Sequence, residues 1–489
     1  MQDMILVLSF DPSFASNVAR MLRGERVYCK LVPRDVTLEQ VQRENPRGLI
    51  LAGGVTSREE RRRECEELDK RLLRAGLPVL ALGSAARTLC DVEGGAQRGE
   101  VIEKRAVTVT YTQDPLFAGI ETGERWLEHS HDLALPPGYA PVAEAEGSVV
   151  GFVHAERPVY GLQFQVEKND PDGIAILLNF ALGVSGCTAW WEESTYMERA
   201  KEDLRRAIGE GRAVCTVTGG LNSTVCALLA ERAVPGKIHC VLVDTGILRE
   251  GEPEWVVERL TELGLRVHRA DARARAAEAL AGVVDSARKC AAVRQVIAEV
   301  LEAEAERIGG VTVLLRNTNY SDIVQAASQD EGDVCDEPRS RLAVAAPLSE
   351  LFRGEVCRVG ELLELPAALL QRQPFPDAGL TVRVFGEATP ERLHTLRAAE
   401  AILEAEIEEA GLARKLWKYY AALAQMPEGE IAGQVVLLRA VQHSEMTANP
   451  ARLPYDLLER VVERIQREVP GIVRVMYDVT SAAHTRNEL

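Results

Sequence analysis

Short apolar runs alternate with stretches whose apolar residues recur at helical spacing through most of the chain, the pattern of a parallel α/β sheet. Residues 5–8 (ILVL), 48–52 (GLILA, running into Gly53-Gly54), 77–82 (LPVLAL) and 159–164 (VYGLQF) predict strands of a first unit. Residues 178–186 predict its closing helix, and the run SGCTAWWEES breaks the composition and sets a boundary near residue 188. A second unit opens with a helix, since Met197, Ala200, Leu204 and Ala207 fall on one face. Strands are predicted over 213–217, 238–243 and 311–315; the first runs into the loop TGGLNST, with a helix starting near Val225.

The acidic, weakly apolar segment 328–341 predicts a surface loop. A third unit starts near residue 379 with a long helix over 390–410, closed by Gly411. Residues 434–441 and 472–479 have strand character; the latter alternates Val473, Val475 and Tyr477 with Arg474, Met476 and Asp478, as a sheet with two unlike faces requires. There is no internal repeat and no low-complexity tract.

Composition narrows the classes. The 489 residues predict two to four domains, and 46% hydrophobic with 27% charged residues is ordinary for a globular protein. No run approaches the roughly 18 apolar residues of a membrane span. The start, MQDMILVLSF, reads as a first strand rather than a signal peptide, so the expected location is the cytoplasm. A net charge of −17 argues against sequence-independent nucleic-acid binding, which needs basic patches, and leaves room for a local pocket for a phosphorylated small molecule. The ten cysteines and eight histidines show no metal-ligand spacing, and the expectation is reduced, mostly buried thiols and no metal site.

The chemistry-bearing candidate is Thr218-Gly219-Gly220-Leu221-Asn222-Ser223-Thr224, between a strand and a helix. Two glycines let the backbone approach an anion, the helix start offers unpaired N–H groups, and Ser223 and Thr224 add hydroxyls. The spacing is not that of a Walker loop and there is no lysine; an ordinary strand–helix turn is the alternative.

TGGLNST resembles the SGGxDS(S/T) pyrophosphate loop of the N-type ATP-pyrophosphatases. CVLVDTGILRE, LLRNTNYSDIVQAAS, APLSELFRGEVCRVGELLELP, RQPFPDAGLTVRVFGE and the stretch 438–481 resemble, in order, segments of the GMP synthase family. The resemblance implies an α/β protein with a class I glutamine amidotransferase-like domain over 1–187, an ATP-pyrophosphatase (adenine nucleotide α-hydrolase-like) parallel-sheet domain over 190–378, and a small α+β dimerisation domain over 379–489. It implies ATP-dependent amination of XMP to GMP with glutamine nitrogen, ATP and Mg2+ as cofactors, and a homodimer through the last domain.

Several positions depart from the family pattern. Its amidotransferase uses a cysteine in PVLGICYGMQ and a histidine and glutamate in QFHPEV. The segments PVLALGSAARTLC and QFQVEK place Gly83, Gln165 and Glu167 there, and only the glutamate is kept. Glycine carries no nucleophile and glutamine no base. Ser84 has no evident base partner, and Cys90 would sit roughly 10 Å along a helix. In the pyrophosphate loop the family aspartate is Asn222, which should weaken magnesium binding, while Asp244 keeps the Asp of VDxG. Thr318, Tyr320 and Asp322 match TxYPD, but Arg316-Asn317 replace its Gln-Gly.

The family lid SHHNVGGLP has no counterpart; an acidic segment over 330–339 stands in its place. PEGEIAGQ replaces GDGRTY. In the last residues, Ala482 takes the place of a substrate-binding lysine, and Glu488 is the one remnant of the substrate contacts. Arg383 and Lys289 match basic family positions, Arg383 as a substrate contact, with solvated surface charge as the alternative. Two readings follow: a degenerate or regulatory paralogue without glutaminase activity, or a synthetase that uses free ammonia or another acidic substrate.

Overall fold

The computed structural model describes residues 3–54, 57–102, 105–127, 130–167, 170–327, 341–376, 378–426, 433–444 and 447–480. The acidic segment, nearly all of the 427–434 stretch, and Glu488 with Ala482 lie outside them. The chain divides into two compact units, Met1–Thr195 and Tyr196–Leu489.

The first unit is built on a nine-stranded sheet. Its parallel half runs Cys29–Pro33, Ile5–Ser9, Gly48–Gly53, Val79–Gly83 and Val159–Leu162. Gly48–Gly53 and Val79–Gly83 are buried at every position, which is why they read as unbroken apolar runs. The sheet continues antiparallel through Ser148–His154, Tyr139–Ala145, Arg105–Tyr111 and Gly123–Leu127, strands the sequence reading did not separate. The closing helix starts earlier than expected, at Pro171, and widens into a π-helical turn over Asn179–Val184. The tryptophans after it clasp this unit. Trp190 Nε1 donates to the Asp3 carbonyl at 2.8 Å, and Trp191 stacks on Tyr28 at 4.9 Å.

The second unit holds two sheets. Five parallel strands run Val267–Asp271, Ile238–Asp244, Arg212–Thr216, Val311–Leu315 and Ala343–Ala345. The helix after Arg212–Thr216 spans Leu221–Ala233, so it begins four residues before the expected Val225 and takes Asn222, Ser223 and Thr224 into its first turn. Those residue types favour caps and loops in isolation. Here the Ser223 and Thr224 hydroxyls turn back on the Gly220 carbonyl (3.1 and 2.9 Å), and tertiary burial fixes the turn as helix.

The second sheet centres on Gly433–Ser444, flanked antiparallel by Lys418–Met426 and Thr447–Pro450 and parallel by Ile472–Tyr477. The long helix Pro390–Glu409 and the helix Tyr455–Glu468 cover it. Leu396, Leu403, Leu423, Val436 and Val461 form their shared core, and Ile247 and Val293 from the preceding sheet's elements join the same cluster.

Candidate functional site

In the first unit the strand Val79–Gly83 turns directly into the helix Ser84–Val92. Gly83 makes the turn at φ +62°, ψ −127°, a conformation that costs an L side chain of order 1–3 kcal/mol. The structure brings Gly83 and Gln165 together: a Cβ on Gly83 would lie 3.4 Å from Gln165 Cγ. The same Cβ would lie 2.1 Å from the Gly53 carbonyl oxygen. The neighbouring strand's backbone therefore occupies the space a nucleophilic side chain would need. Glu167 is exposed, two residues beyond Gln165.

The neighbours offer no substitute. Ser84 is 2% exposed, and its Oγ has no hydrogen-bond partner among the described residues, so nothing there would remove its proton. Cys90 is fully buried, and burial pushes its thiol up to about 12, away from the reactive thiolate.

In the second unit the candidate loop lies between Arg212–Thr216 and Leu221–Ala233. Gly219 is at φ +68°; a Cβ there would meet Arg372 Nη1 and Val256 Cγ2, both at 2.7 Å. The loop bonds largely to itself. Ser223 Oγ accepts from the Thr218 N–H at 3.2 Å and lies 3.3 Å from Thr218 Oγ1. The hydroxyls expected to receive an anion are thus engaged within the turn. Arg372 closes over it: Nη1 donates to the Thr218 carbonyl at 3.2 Å, the guanidinium lies 4.5 Å from the Trp255 ring centroid, and Glu252 pairs with it. Burial pulls this guanidinium below the usual arginine range. Arg372 was not singled out from the sequence; it heads the segment RQPFPDAGL, and only the fold carries that segment to the loop.

Asn222 Nδ2 donates to Asp322 Oδ2 at 3.0 Å, while Asn222 Oδ1 is buried with no partner among the described residues. The Asn319 N–H also donates to Asp322 Oδ2 at 3.0 Å, and burial raises the Asp322 carboxyl above the usual range. Asp244 is 3% exposed. Its Oδ1 accepts from the Gly246 N–H at 3.1 Å and its Oδ2 is paired with Arg269 at 2.7 Å. Divalent magnesium needs oxygen ligands, usually one or two carboxylates. Both carboxylates here already serve N–H or guanidinium donors, and the third group is a neutral amide. This donor set fits the cation poorly: the one unengaged oxygen on Asn222, Oδ1, is neutral where the family pattern has a carboxylate. Among the described residues no group of three or more His, Cys, Asp or Glu side chains could hold a metal ion.

Arg383 and Lys289 are not the surface charges that one expectation made them: both are fully buried. Arg383 pairs with Glu400, which also accepts from the Ala421 N–H at 2.7 Å, and its guanidinium lies 4.6 Å from the Tyr420 ring centroid. Lys289 Nζ donates to the carbonyls of Thr381, Val384 and Gly386 at 3.1, 2.7 and 2.6 Å, and burial lowers it to about 8. Lys289 thus ties the segment carrying Arg383 to the helix Ser286–Ile308.

A strand–elbow–helix in a parallel sheet, followed by a second α/β unit with a glycine loop at a strand end, defines the class: an amidotransferase-type domain joined to a synthetase-type unit. The model of the class-I glutamine amidotransferase family matches residues 6–183, and that of the GMP synthase C terminal domain matches residues 405–487. Glutamine-hydrolyzing GMP synthase of Caldicellulosiruptor saccharolyticus is 33% identical, covering 98% of each chain. That of Thermomicrobium roseum is 35% identical over 98% of this chain and 95% of its own, and that of Aquifex aeolicus 34% over 98% and 97%. The chain belongs to the GMP synthase family.

Proposed function

We propose that this protein is a GMP synthase paralogue that has lost glutamine hydrolysis and serves a binding or regulatory role. The observation that carries the reading is the elbow, where Gly83 stands at the nucleophile position and the Gly53 carbonyl fills the space beside it. Gln165 at the base position cannot take a proton near neutral pH. The synthetase half supports the same reading. Its loop hydroxyls bond inward, and Asn222, Asp322 and Asp244 are committed to neighbouring side chains and backbone. ATP would bind the loop weakly and without the family's magnesium. The protein is a homodimer through its last domain, as the family resemblance implies.

The test is one assay of the full chain with XMP, ATP and magnesium, given glutamine in one arm and ammonium in the other. No GMP is expected in either. GMP from glutamine would overturn the reading outright. GMP from ammonium alone would establish the second reading, an ammonia-dependent synthetase, which the retained Gly219-Gly220 turn ahead of the helix start favours.

A further inference from the structure

The misfit between the loop and magnesium has a structural counterpart at Asn222. Its side-chain amide nitrogen lies 3.0 Å from Asp322 Oδ2. Two oxygens on adjacent corners of an octahedral magnesium, each about 2.0–2.1 Å from the ion, stand about 2.9 Å apart. An ordinary N–H···O hydrogen bond has the same length, so the contact sets the two side chains close enough to share one cation were both carboxylates. Asp322 is fixed in that place independently. Its Oδ2 takes the Asn319 N–H at 3.0 Å, its own N–H donates to Asn319 Oδ1 at 3.0 Å, and Asn319 is 1% exposed.

We propose that Asn222 makes a divalent cation unnecessary here: its amide bridges the loop helix to Asp322, so the loop is held without metal, and Asn222→Asp converts the pair into a metal site. This rests on reading the unit as a synthetase that no longer works through magnesium. A neutral amide donates one hydrogen where a cation would accept from two carboxylates. The contact is charge-assisted, an amide N–H donating to a carboxylate. An aspartate in its place would set two anions about 3 Å apart, a pair that requires a proton or a cation between them. Asp244 would not supply the missing ligand in the parent, because both of its oxygens are occupied by Gly246 and Arg269.

The experiment uses the full chain, stripped with EDTA, and Mn2+ alone as probe. Mn2+ uptake is read by electron paramagnetic resonance and thermal unfolding is followed with and without the ion. In the parent, uptake is expected to be unchanged by Asp322→Asn. Asn222→Asp is expected to bind about one additional Mn2+ per chain, to melt below the parent in EDTA and to recover with Mn2+. The swapped variant N222D/D322N restores an amide–carboxylate pair; it should lose the additional Mn2+ and regain the parent's melting temperature in EDTA. Mn2+ uptake by the parent that Asp322→Asn abolishes would overturn the proposal. So would an Asn222→Asp protein that gains no Mn2+, or a swapped variant that keeps it. No nucleotide is present and no turnover is read, so GMP formation by the parent would overturn the proposed function and leave this test standing.

Discussion

Single residues decide the two sites, and they do so through space as much as through chemistry. Restoring the family cysteine at Gly83 replaces a hydrogen by a Cβ that would lie 2.1 Å from the Gly53 carbonyl. Gly83→Cys, alone or with Gln165→His, is therefore expected to gain no glutaminase activity and to lose about 2 kcal/mol of stability or more, from overpacking and a positive φ. Ammonia release from glutamine and a denaturant titration check both halves; a stable double variant that hydrolyses glutamine would refute the argument. Arg383 is the other informative residue. Its partner Glu400 is 1% exposed, so Arg383→Met leaves a buried carboxylate with only the Ala421 N–H and a longer contact to Arg249, at 3.7 Å. The expected cost is about 3 kcal/mol in equilibrium unfolding, the low end for a broken buried pair, because Arg249 still faces the carboxylate. A variant as stable as the parent would show that the arginine is not a structural partner.

At the scale of elements, the strands Ile238–Asp244 and Val267–Asp271 carry an acid-sensitive joint. His239 Nδ1 and His268 Nε2 lie 3.1 Å apart and the rings stack at 5.4 Å. Burial, with Arg266, His268 and Arg212 nearby, lowers His239 to about 4. The native state then stays neutral while the unfolded chain, with a histidine near 6.5, takes up a proton. Stability linked to this group is whole above pH 6.5 and is lost as pH falls toward 4. The parent should lose thermal stability across that window more steeply than His239→Gln; equal slopes would show that the pair does not titrate as argued. The elements themselves were largely visible as apolar runs, because a parallel strand covered on both faces has no polar alternation to blur it. The loop helix was misjudged by four residues: Asn222, Ser223 and Thr224 have cap and loop preferences, and the long-range contact from Asn222 to Asp322 cannot be read from local sequence.

At the scale of the whole molecule, family membership and assembly are separate questions. The homology spans nearly the full chain, and the last sheet and its covering helix keep exposed apolar residues, Met476 at 45% and Tyr455 at 75%. A homodimer through this domain predicts a mass by light scattering of twice the 53.6 kDa chain. A monomer at micromolar concentration would remove the dimer from the proposal. No helix among the described residues is long and apolar enough to cross a membrane.

The sequence by itself determined the order of the α/β elements, the family, and the absence of a cysteine and a histidine at positions 83 and 165, because periodicity and motif order are properties of the chain read in line. Only the tertiary structure decided that Gly53 closes the elbow, that Arg372 covers the glycine loop, that Arg383 and Lys289 are interior, and that Asn222 meets Asp322. Apart from Arg383 and its partner Glu400, 17 positions apart, those facts join residues about 30 to 150 positions apart. Side-chain distance and burial at such separations are set by how the sheets and helices pack, which no local pattern records.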